Sequence, residues 1–134
     1  MKLKDCHNFE DFRKLAKKKL PSPIFHYIDG GADDEVTLNR NTSSFNDYDL
    51  VPSVLNDVSN VDMSTTVLGE KIDFPLFPAA TAMHRLYHHE GERASAKAVE
   101  KMGTIFGTST MGTVSIEEIA KVNKGPKLFQ LYIH

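Results

Sequence analysis

Three apolar stretches decide the fold: PLFPAAT at residues 75–81, TIFGTST at residues 104–110 and KLFQLYI at residues 127–133. Each is a short apolar run bounded by Gly, Pro or charged residues, which is typical of a buried strand. Between them, apolar residues recur at helical spacing over about 91–102 and about 116–122. Strand, helix, strand, helix, strand predicts βαβ units, and therefore an α/β fold with parallel strands.

Local signals mark the ends of the two helices. Gly103 follows the first helix and suits a helix stop, and Ser115 stands three residues before Glu118 in the S-x-x-E pattern of a capping box. Three parallel strands leave a sheet with open edges, and a complete β/α barrel takes about 250 residues. The pattern alone therefore fits part of a barrel or part of an open doubly wound sheet.

The residues before the first strand predict helices and then a small hairpin. Asn8 is a candidate N-cap for a helix over about 9–20, and Ser22, as N-cap, precedes a short helix over about 24–29. Asp33 and Asp34 offer caps for a third helical segment.

Beyond these helices the composition changes. Residues 49–62 are rich in Asp, Pro, Asn and Val and predict an irregular segment. STTVLGEKI at residues 64–72 then predicts two short strands about a Leu68–Gly69 turn.

Composition excludes several classes of protein. The 134 residues are 40% hydrophobic and 25% charged, which is typical of a soluble globular domain. Sixteen Lys and Arg against 18 Asp and Glu give a formal net charge of −2, which argues against nucleic acid or an anionic membrane as partner. The single cysteine, Cys6, and the lack of a signal-like N-terminus predict a cytoplasmic location.

Polar residues follow the predicted strands at their carboxyl ends. Thr81 and Ala82 end the first strand, Ser109 ends the second and Gln130 lies on the third. In parallel β/α folds these ends meet at one mouth, where functional groups collect. The hydroxyl and amide groups suit hydrogen bonding to the edge of a flat heterocycle, or they satisfy backbone groups at the strand ends.

Other chemistry is less well supported. Neither GxxxxGK nor GxGxxG occurs, so no familiar phosphate loop is indicated. His84 and His88 have i, i+4 spacing with Glu90 and Glu92 nearby, but they fall in a predicted loop. We therefore expect loop histidines and no metal site.

Blocks along nearly the whole chain resemble the FMN-dependent 2-hydroxy-acid dehydrogenases and oxidases. The blocks, in the family's order, are FHYIDGGADDEVTLNRN (25–41), DMSTTVLGEKIDFPLFPAATAM (62–83), GERASAKA (91–98), GTIFGTST (103–110), SIEEIA (115–120) and FQLYI (129–133). The resemblance implies the N-terminal part of a (β/α)8 TIM barrel. A helical extension and hairpin would occupy residues 1–73, and the first three barrel strands with two helices would occupy residues 74–134.

The resemblance implies roles for particular residues. Tyr27 matches a tyrosine that binds the substrate carboxylate, and Tyr132 matches a catalytic tyrosine that contacts substrate and polarises the developing product. The remaining matches bind the FMN cofactor: Thr81, Ala82, Ser109 and Gln130. Met111 stands where oxidases often carry tryptophan, which favours a lactate-type dehydrogenase slightly over a glycolate oxidase.

The implied reaction is oxidation of a small L-2-hydroxy acid, L-lactate first, to the 2-oxo acid with hydride transfer to the flavin. The histidine base, the carboxylate-binding arginine and the phosphate-binding groups of the family would follow the third strand. None of His84, His88, His89 or His134 matches that base. We therefore expect a fragment that alone binds FMN weakly or not at all and does not turn over L-lactate.

Some expectations stay open at this point. The substrate could be L-lactate or, as for glycolate oxidases, another (S)-2-hydroxy acid, and the sequence does not indicate the electron acceptor. A chain of this length could also be a noncatalytic half-barrel assembly module. The resemblance further implies a homotetramer for full-length members and allows a peripheral position at the inner face of a membrane.

Overall fold

The computed structural model describes residues 2–133, which form two compact units, one up to Asn56 and one from Asp57. The first unit contains three α-helices: α1 (Phe9–Lys19), α2 (Ser22–Asp29) and α3 (Val36–Ser43). The second contains a hairpin of β1 (Thr65–Val67) and β2 (Glu70–Ile72), followed by α4 (Glu92–Lys101), β3 (Phe106–Ser109), α5 (Ile116–Val122) and β4 (Lys127–Gln130). Short 3₁₀ turns cover Leu3–Asp5, Ser44–Asp47 and His84–Leu86.

Helix α1 begins as the sequence predicts, because the Asn8 side chain accepts a hydrogen bond from the Asp11 amide at 2.9 Å. The predicted cap of α2 is wrong by one residue: Pro21 is the N-cap, and Ser22 is already helical. The predicted Asp caps of α3 are also wrong. Its N-cap is Glu35, which has a left-handed backbone (φ 58°) and accepts a hydrogen bond from the Gly31 amide.

A bidentate ion pair joins the first two helices. Arg13 Nε lies 2.5 Å from Asp29 Oδ1, and Arg13 Nη2 donates to Asp29 Oδ2 at 3.0 Å. The guanidinium holds the pKa of Asp29 below its usual value, first through this hydrogen bond. Leu15 and Phe25 are the buried apolar residues of α1 and α2.

The predicted hairpin is confirmed. β1 and β2 pair antiparallel, and the turn residues Leu68 (φ 53°) and Gly69 (φ 84°) both have positive φ, as a two-residue type I′ turn requires. Ile72 is buried, and the adjoining Asp73 amide donates to the Gly103 carbonyl at 2.8 Å. The hairpin is therefore tied to the turn that follows α4.

The α/β core of the second unit also follows the prediction. β3 and β4 pair in parallel, with Phe106 opposite Lys127 and Ser109 opposite Gln130. α4 and α5 both begin and end within two residues of their predicted limits. Their apolar faces, β3 and Val114 of the loop between β3 and α5 share one core, made of Ala96, Val99, Phe106, Val114 and Ile119, with Val122 packed against it.

The first predicted strand is mostly absent. Residues 75–80 form no ladder, and only Thr81 pairs, in a single parallel bridge with Thr108. Pro75 and Pro78 explain this, because neither residue has an N–H to donate to a neighbouring strand. Leu76 is also 65% exposed, so the prediction of a buried strand is wrong there. The parallel direction of the segment is nevertheless preserved.

Close backbone packing brings this segment against β3. A Cβ on Gly107 would lie 3.0 Å from the Ala80 nitrogen and 3.2 Å from the Pro78 oxygen. The buried Thr104 hydroxyl donates to the Leu76 carbonyl at 2.8 Å. A glycine and a threonine of the second strand region therefore hold a segment that lacks a regular ladder.

We predict that Gly107→Ala destabilises the second unit by about 1–3 kcal/mol, because the new methyl group meets backbone atoms that cannot rotate away. Urea unfolding measures the loss. Gly69→Ala is the size control, since its Cβ would meet nothing within 4 Å, although its positive φ carries a small cost of its own. Equal stability of G107A and the parent chain would contradict the close approach between Gly107 and the backbone of Pro78 and Ala80.

We also predict that acidification weakens the first unit through Asp29. Its pKa is lowered by folding, so its contribution is complete above the unfolded pKa of about 3.9 and is lost as the pH falls through the folded value. Asp29→Asn removes this part of the pH dependence. The acid transition is followed by the helical circular dichroism signal between pH 5 and pH 2, and Asp47→Asn, at an exposed aspartate, is the control. Identical acid transitions in D29N and the parent chain would refute the role of Asp29.

Candidate functional site

The candidate site lies at the carboxyl ends of the parallel segments in the second unit. The Thr81–Thr108 bridge and the Ser109–Gln130 pair bring three of the predicted residues to this edge. Ala82 follows Thr81 directly and is half-buried, as Thr81 is. The structure therefore places Thr81, Ala82, Ser109 and Gln130 at the ends of adjacent segments, as the sequence predicts.

Ser109 and Gln130 form the polar centre of this edge. The Ser109 hydroxyl is buried, donates to Gln130 Oε1 at 3.1 Å and accepts a hydrogen bond from the Met111 amide at 3.2 Å. With Oε1 accepting this bond, Gln130 Nε2 donates to none of the described residues. Gln130 therefore offers two N–H donors to a ligand.

Hydroxyl groups of the two threonines at this edge bind backbone. Thr81 Oγ1 donates to the Ala79 carbonyl at 3.4 Å. Thr110 Oγ1 donates to the Gln130 carbonyl and accepts from the Tyr132 amide at 3.1 Å. For Thr81 the structure thus shows the predicted alternative, a hydroxyl that satisfies a backbone group at a strand end.

Tyr132 lies two residues beyond the end of β4, and its side chain is 44% exposed. Its backbone is fixed by the bond to Thr110, so it follows the same edge as Gln130. Tyr27 belongs to the first unit, where it lies in the last turn of α2 with 54% exposure. His134 lies outside the described residues.

Sequence reasoning misses the buried carboxylate beside this edge. Glu92, the first residue of α4, is 1% exposed and accepts hydrogen bonds from the Thr113 amide at 2.8 Å and the Thr113 hydroxyl at 2.6 Å. It also accepts from the His84 amide at 3.3 Å. The signal available in the sequence is an acidic residue at the first turn of a helix, directly after Gly91.

The environment of Glu92 keeps it ionised. Burial by itself raises the pKa, but the hydrogen bonds from Thr113 and from the backbone outweigh it, and the pKa of Glu92 is lowered. The histidines nearby have other partners: His84 Nδ1 lies 3.2 Å from Ser95 Oγ, and His88 Nδ1 accepts from the Glu90 amide. Among the described residues no group of three or more His, Cys, Asp or Glu side chains could hold a metal ion.

Comparison with known proteins decides the family. The profile of FMN-dependent dehydrogenases matches residues 16–134. The chain belongs to this family. It is 42% identical over 127 residues to glycolate oxidase of Spinacia oleracea, and 43% identical over 127 residues to a peroxisomal (S)-2-hydroxyacid oxidase of Arabidopsis thaliana. Both alignments cover 95% of this chain.

Solved structures of related proteins match the fold of this chain. A soluble mutant of the membrane-associated (S)-mandelate dehydrogenase of Pseudomonas putida matches 94% of the chain with a TM-score of 0.84 and 37% identity. A protein of Pediococcus acidilactici described as a lactate oxidase matches 96% with a TM-score of 0.86 and 32% identity. The fold is thus the N-terminal part of the family's TIM barrel.

The matches cover only part of these proteins. The chain spans about a third of the length of its relatives: 34% of the spinach enzyme and 36% of each solved structure. No helix among residues 2–133 is long and apolar enough to cross a membrane.

The donors present fit one edge of the FMN ring. The polar edge of an isoalloxazine ring carries carbonyl oxygens, and Gln130 Nε2 supplies N–H groups for such acceptors. The bond from Ser109 turns the Gln130 oxygen inward, so that the nitrogen is the atom left for a ligand. The arrangement is therefore suited to orienting a flat, acceptor-rich heterocycle.

Proposed function

We propose that this chain supplies the N-terminal part of an enzyme that oxidises a small L-2-hydroxy acid to the 2-oxo acid. The observation that carries the proposal is the Ser109–Gln130 pair at the carboxyl ends of parallel strands, in a chain of the FMN-dependent dehydrogenase family. FMN, when bound, would accept the hydride equivalent that leaves the substrate carbon.

The roles proposed for the chain's own residues follow from their chemistry. Thr81, Ala82, Ser109 and Gln130 would bind and orient the flavin ring. Tyr27, a neutral donor, would bind the substrate carboxylate, and Tyr132 would donate a hydrogen bond to the substrate oxygen as it becomes a carbonyl.

Two substrates are proposed side by side. Met111, 47% exposed beside Ser109, leaves an unbranched and adaptable side chain at the edge of the site, which favours a substrate larger than glycolate, such as L-lactate. Several of the most similar relatives, however, are glycolate oxidases, and glycolate fits at least as well. The homotetramer and the cytoplasmic location stay predictions.

We predict that FMN binds the chain weakly at this edge. Titration of the ¹⁵N-labelled chain with FMN should shift the amide signals of Ala82, Met111 and Gln130, and saturation gives the Kd. Gln130→Leu should weaken binding by about tenfold, the loss expected for one or two hydrogen bonds in a site. Ribose 5-phosphate, which lacks the ring, should not shift these signals.

A second test compares Ser109→Ala at the site with a matched control, Ser53→Ala. Ser53 is an exposed serine of the first unit. Ser109→Ala releases the Gln130 amide and should weaken FMN binding, whereas S53A should not. Shifts spread evenly over the surface, or equal effects of both variants, would contradict the proposed flavin edge.

We further predict different kinetic effects for the two tyrosines. The test uses a chimera in which this chain replaces the matching third of spinach glycolate oxidase. Tyr132→Phe should lower kcat at least about tenfold, because a donor to the developing carbonyl is lost. Tyr27→Phe should mainly raise KM, by about tenfold, because one bond to the substrate carboxylate is lost.

Tyr48→Phe, an exposed tyrosine of the first unit, is the control and should change neither constant. Comparing kcat/KM for glycolate and L-lactate in the same chimera decides between the two substrates. A folded, flavin-loaded chimera that oxidises neither acid would refute the proposed activity, and unchanged kinetics of Y132F would refute the role of that tyrosine.

A further inference from the structure

The buried Glu92 carboxylate joins two loops that belong to different strands. One loop follows Thr81 and contains His84, whose amide donates to Glu92 Oε1. The other follows β3 and contains Thr113, whose amide and hydroxyl both donate to the same carboxylate. Glu92 itself starts α4, which packs on the core, so the carboxylate is fixed to the rigid part of the unit.

Additional contacts run directly between the same two loops. The Met83 amide donates to the Met111 carbonyl at 3.0 Å, and the Arg85 amide donates to Thr113 Oγ1 at 3.2 Å. The Thr113 hydroxyl therefore accepts a hydrogen bond from the Arg85 amide and donates one to Glu92. The two loops and the start of α4 form one hydrogen-bonded network.

Close packing leaves this network little freedom. Gly91 has φ 58° and is buried, and a Cβ there would lie 2.8 Å from Arg85 Cγ. The loop after Thr81 consequently lies directly on the N-terminus of α4. Met83, which bonds the second loop, also has a left-handed backbone (φ 51°), a conformation that the surrounding contacts must hold in place.

The chemistry of the network requires a carboxylate at residue 92. Three donors converge on its two oxygens, and a carboxylate accepts hydrogen bonds at both. A glutamine oxygen in place of Oε1 is an uncharged and weaker acceptor for the two amides, and the NH₂ group would face the Thr113 hydroxyl, whose O–H would lose its acceptor. Among residues 2–133 no Lys or Arg donates to the buried charge, so uncharged donors, these three included, compensate it.

We propose that Glu92 is a positioning residue of the flavin site: it fixes the loop of Met83–His84 relative to the loop of Met111–Thr113. These loops directly follow Thr81 and Ala82 on one side and Ser109 on the other, which are residues proposed to bind the flavin ring. The inference rests on the proposed function for its flavin part, while the link between the two loops rests on the hydrogen bonds alone.

The test compares Glu92→Gln with Glu118→Gln in the full chain. Glu118 pairs with Arg93 between α4 and α5, so E118Q removes a carboxylate from the same helix pair and spares the loop network. Amide hydrogen exchange measured by NMR should show about tenfold faster exchange in E92Q at His84 and Thr113, whose charged acceptor becomes neutral, and at Met83, whose bond to the Met111 carbonyl joins the same two loops. E118Q should leave these three amides unchanged.

A second pair of variants isolates the hydroxyl. Thr113→Ser keeps the hydroxyl and should preserve exchange at the Met83 and His84 amides, whereas Thr113→Val should accelerate exchange as E92Q does. Rescue by serine is not expected if residue 113 only fills space. Should E92Q fail to fold, the Thr113 pair decides the question alone.

FMN titration of the same variants tests the flavin part. We expect E92Q and T113V to raise the Kd by about fivefold or more, and T113S and E118Q to leave it unchanged. Equal exchange in E92Q and E118Q, or faster loop exchange with an unchanged Kd, would overturn the proposal. If the parent chain shows no FMN-induced shifts, the flavin site itself fails, and the exchange data still decide whether Glu92 fixes the loops.

Discussion

Parallel alignment is the constraint on which the second unit depends. Because Thr81, β3 and β4 all run in one direction, the chain must return between them, and α4 and α5 make the two returns. The same helices cover β3 and supply most of the apolar core. The carboxyl ends then come to one edge, so the topology that buries Phe106 also brings Ser109 beside Gln130.

The positions of the loops at the carboxyl ends of the strands depend more on hydrogen bonds to side chains than on hydrogen bonds between the strands. β3 and β4 are four residues each, and the first segment contributes one bridge. Ser109, Thr110 and Glu92 each bind backbone amides of the loops beyond the strands. Buried polar networks of this kind are costly when a partner is missing and rigid when all partners are present. The loops therefore have defined positions although the strands are short.

Much of this fold could be predicted from the sequence, because the signals are local. The Asn8 cap, the Leu68–Gly69 turn and the Ser115 cap each depend on residues within a few positions of one another. The parallel order followed from the alternation of short apolar runs with helical spacing. The placement of Thr81, Ala82, Ser109 and Gln130 at one edge followed from that order, since strand ends define the edge, whereas their flavin roles stay a prediction from the family resemblance.

The remaining features depend on contacts that are distant in the sequence. The apolar run at 75–81 has the composition of a strand, but Pro75 and Pro78 remove the donors that a ladder needs. In the sequence, Glu92 has the pattern of a solvent-exposed acidic residue at a helix start. Its burial depends on hydrogen bonds from Thr113, which is 21 residues away. Neither the burial of this carboxylate nor the close approach at Gly107 leaves a pattern in the local sequence.

The candidate groups define which part of the proposed chemistry this chain can perform. Ser109, Gln130, Tyr27 and Tyr132 carry hydroxyl and amide groups, which can donate hydrogen bonds to a ring, a carboxylate or a carbonyl. Removal of a proton from a 2-hydroxy acid needs a base with a pKa near the working pH. Glu92 is no candidate for it, because three hydrogen bonds occupy its oxygens and lower its pKa. We therefore assign binding and orientation to these residues and assign proton abstraction to none of them.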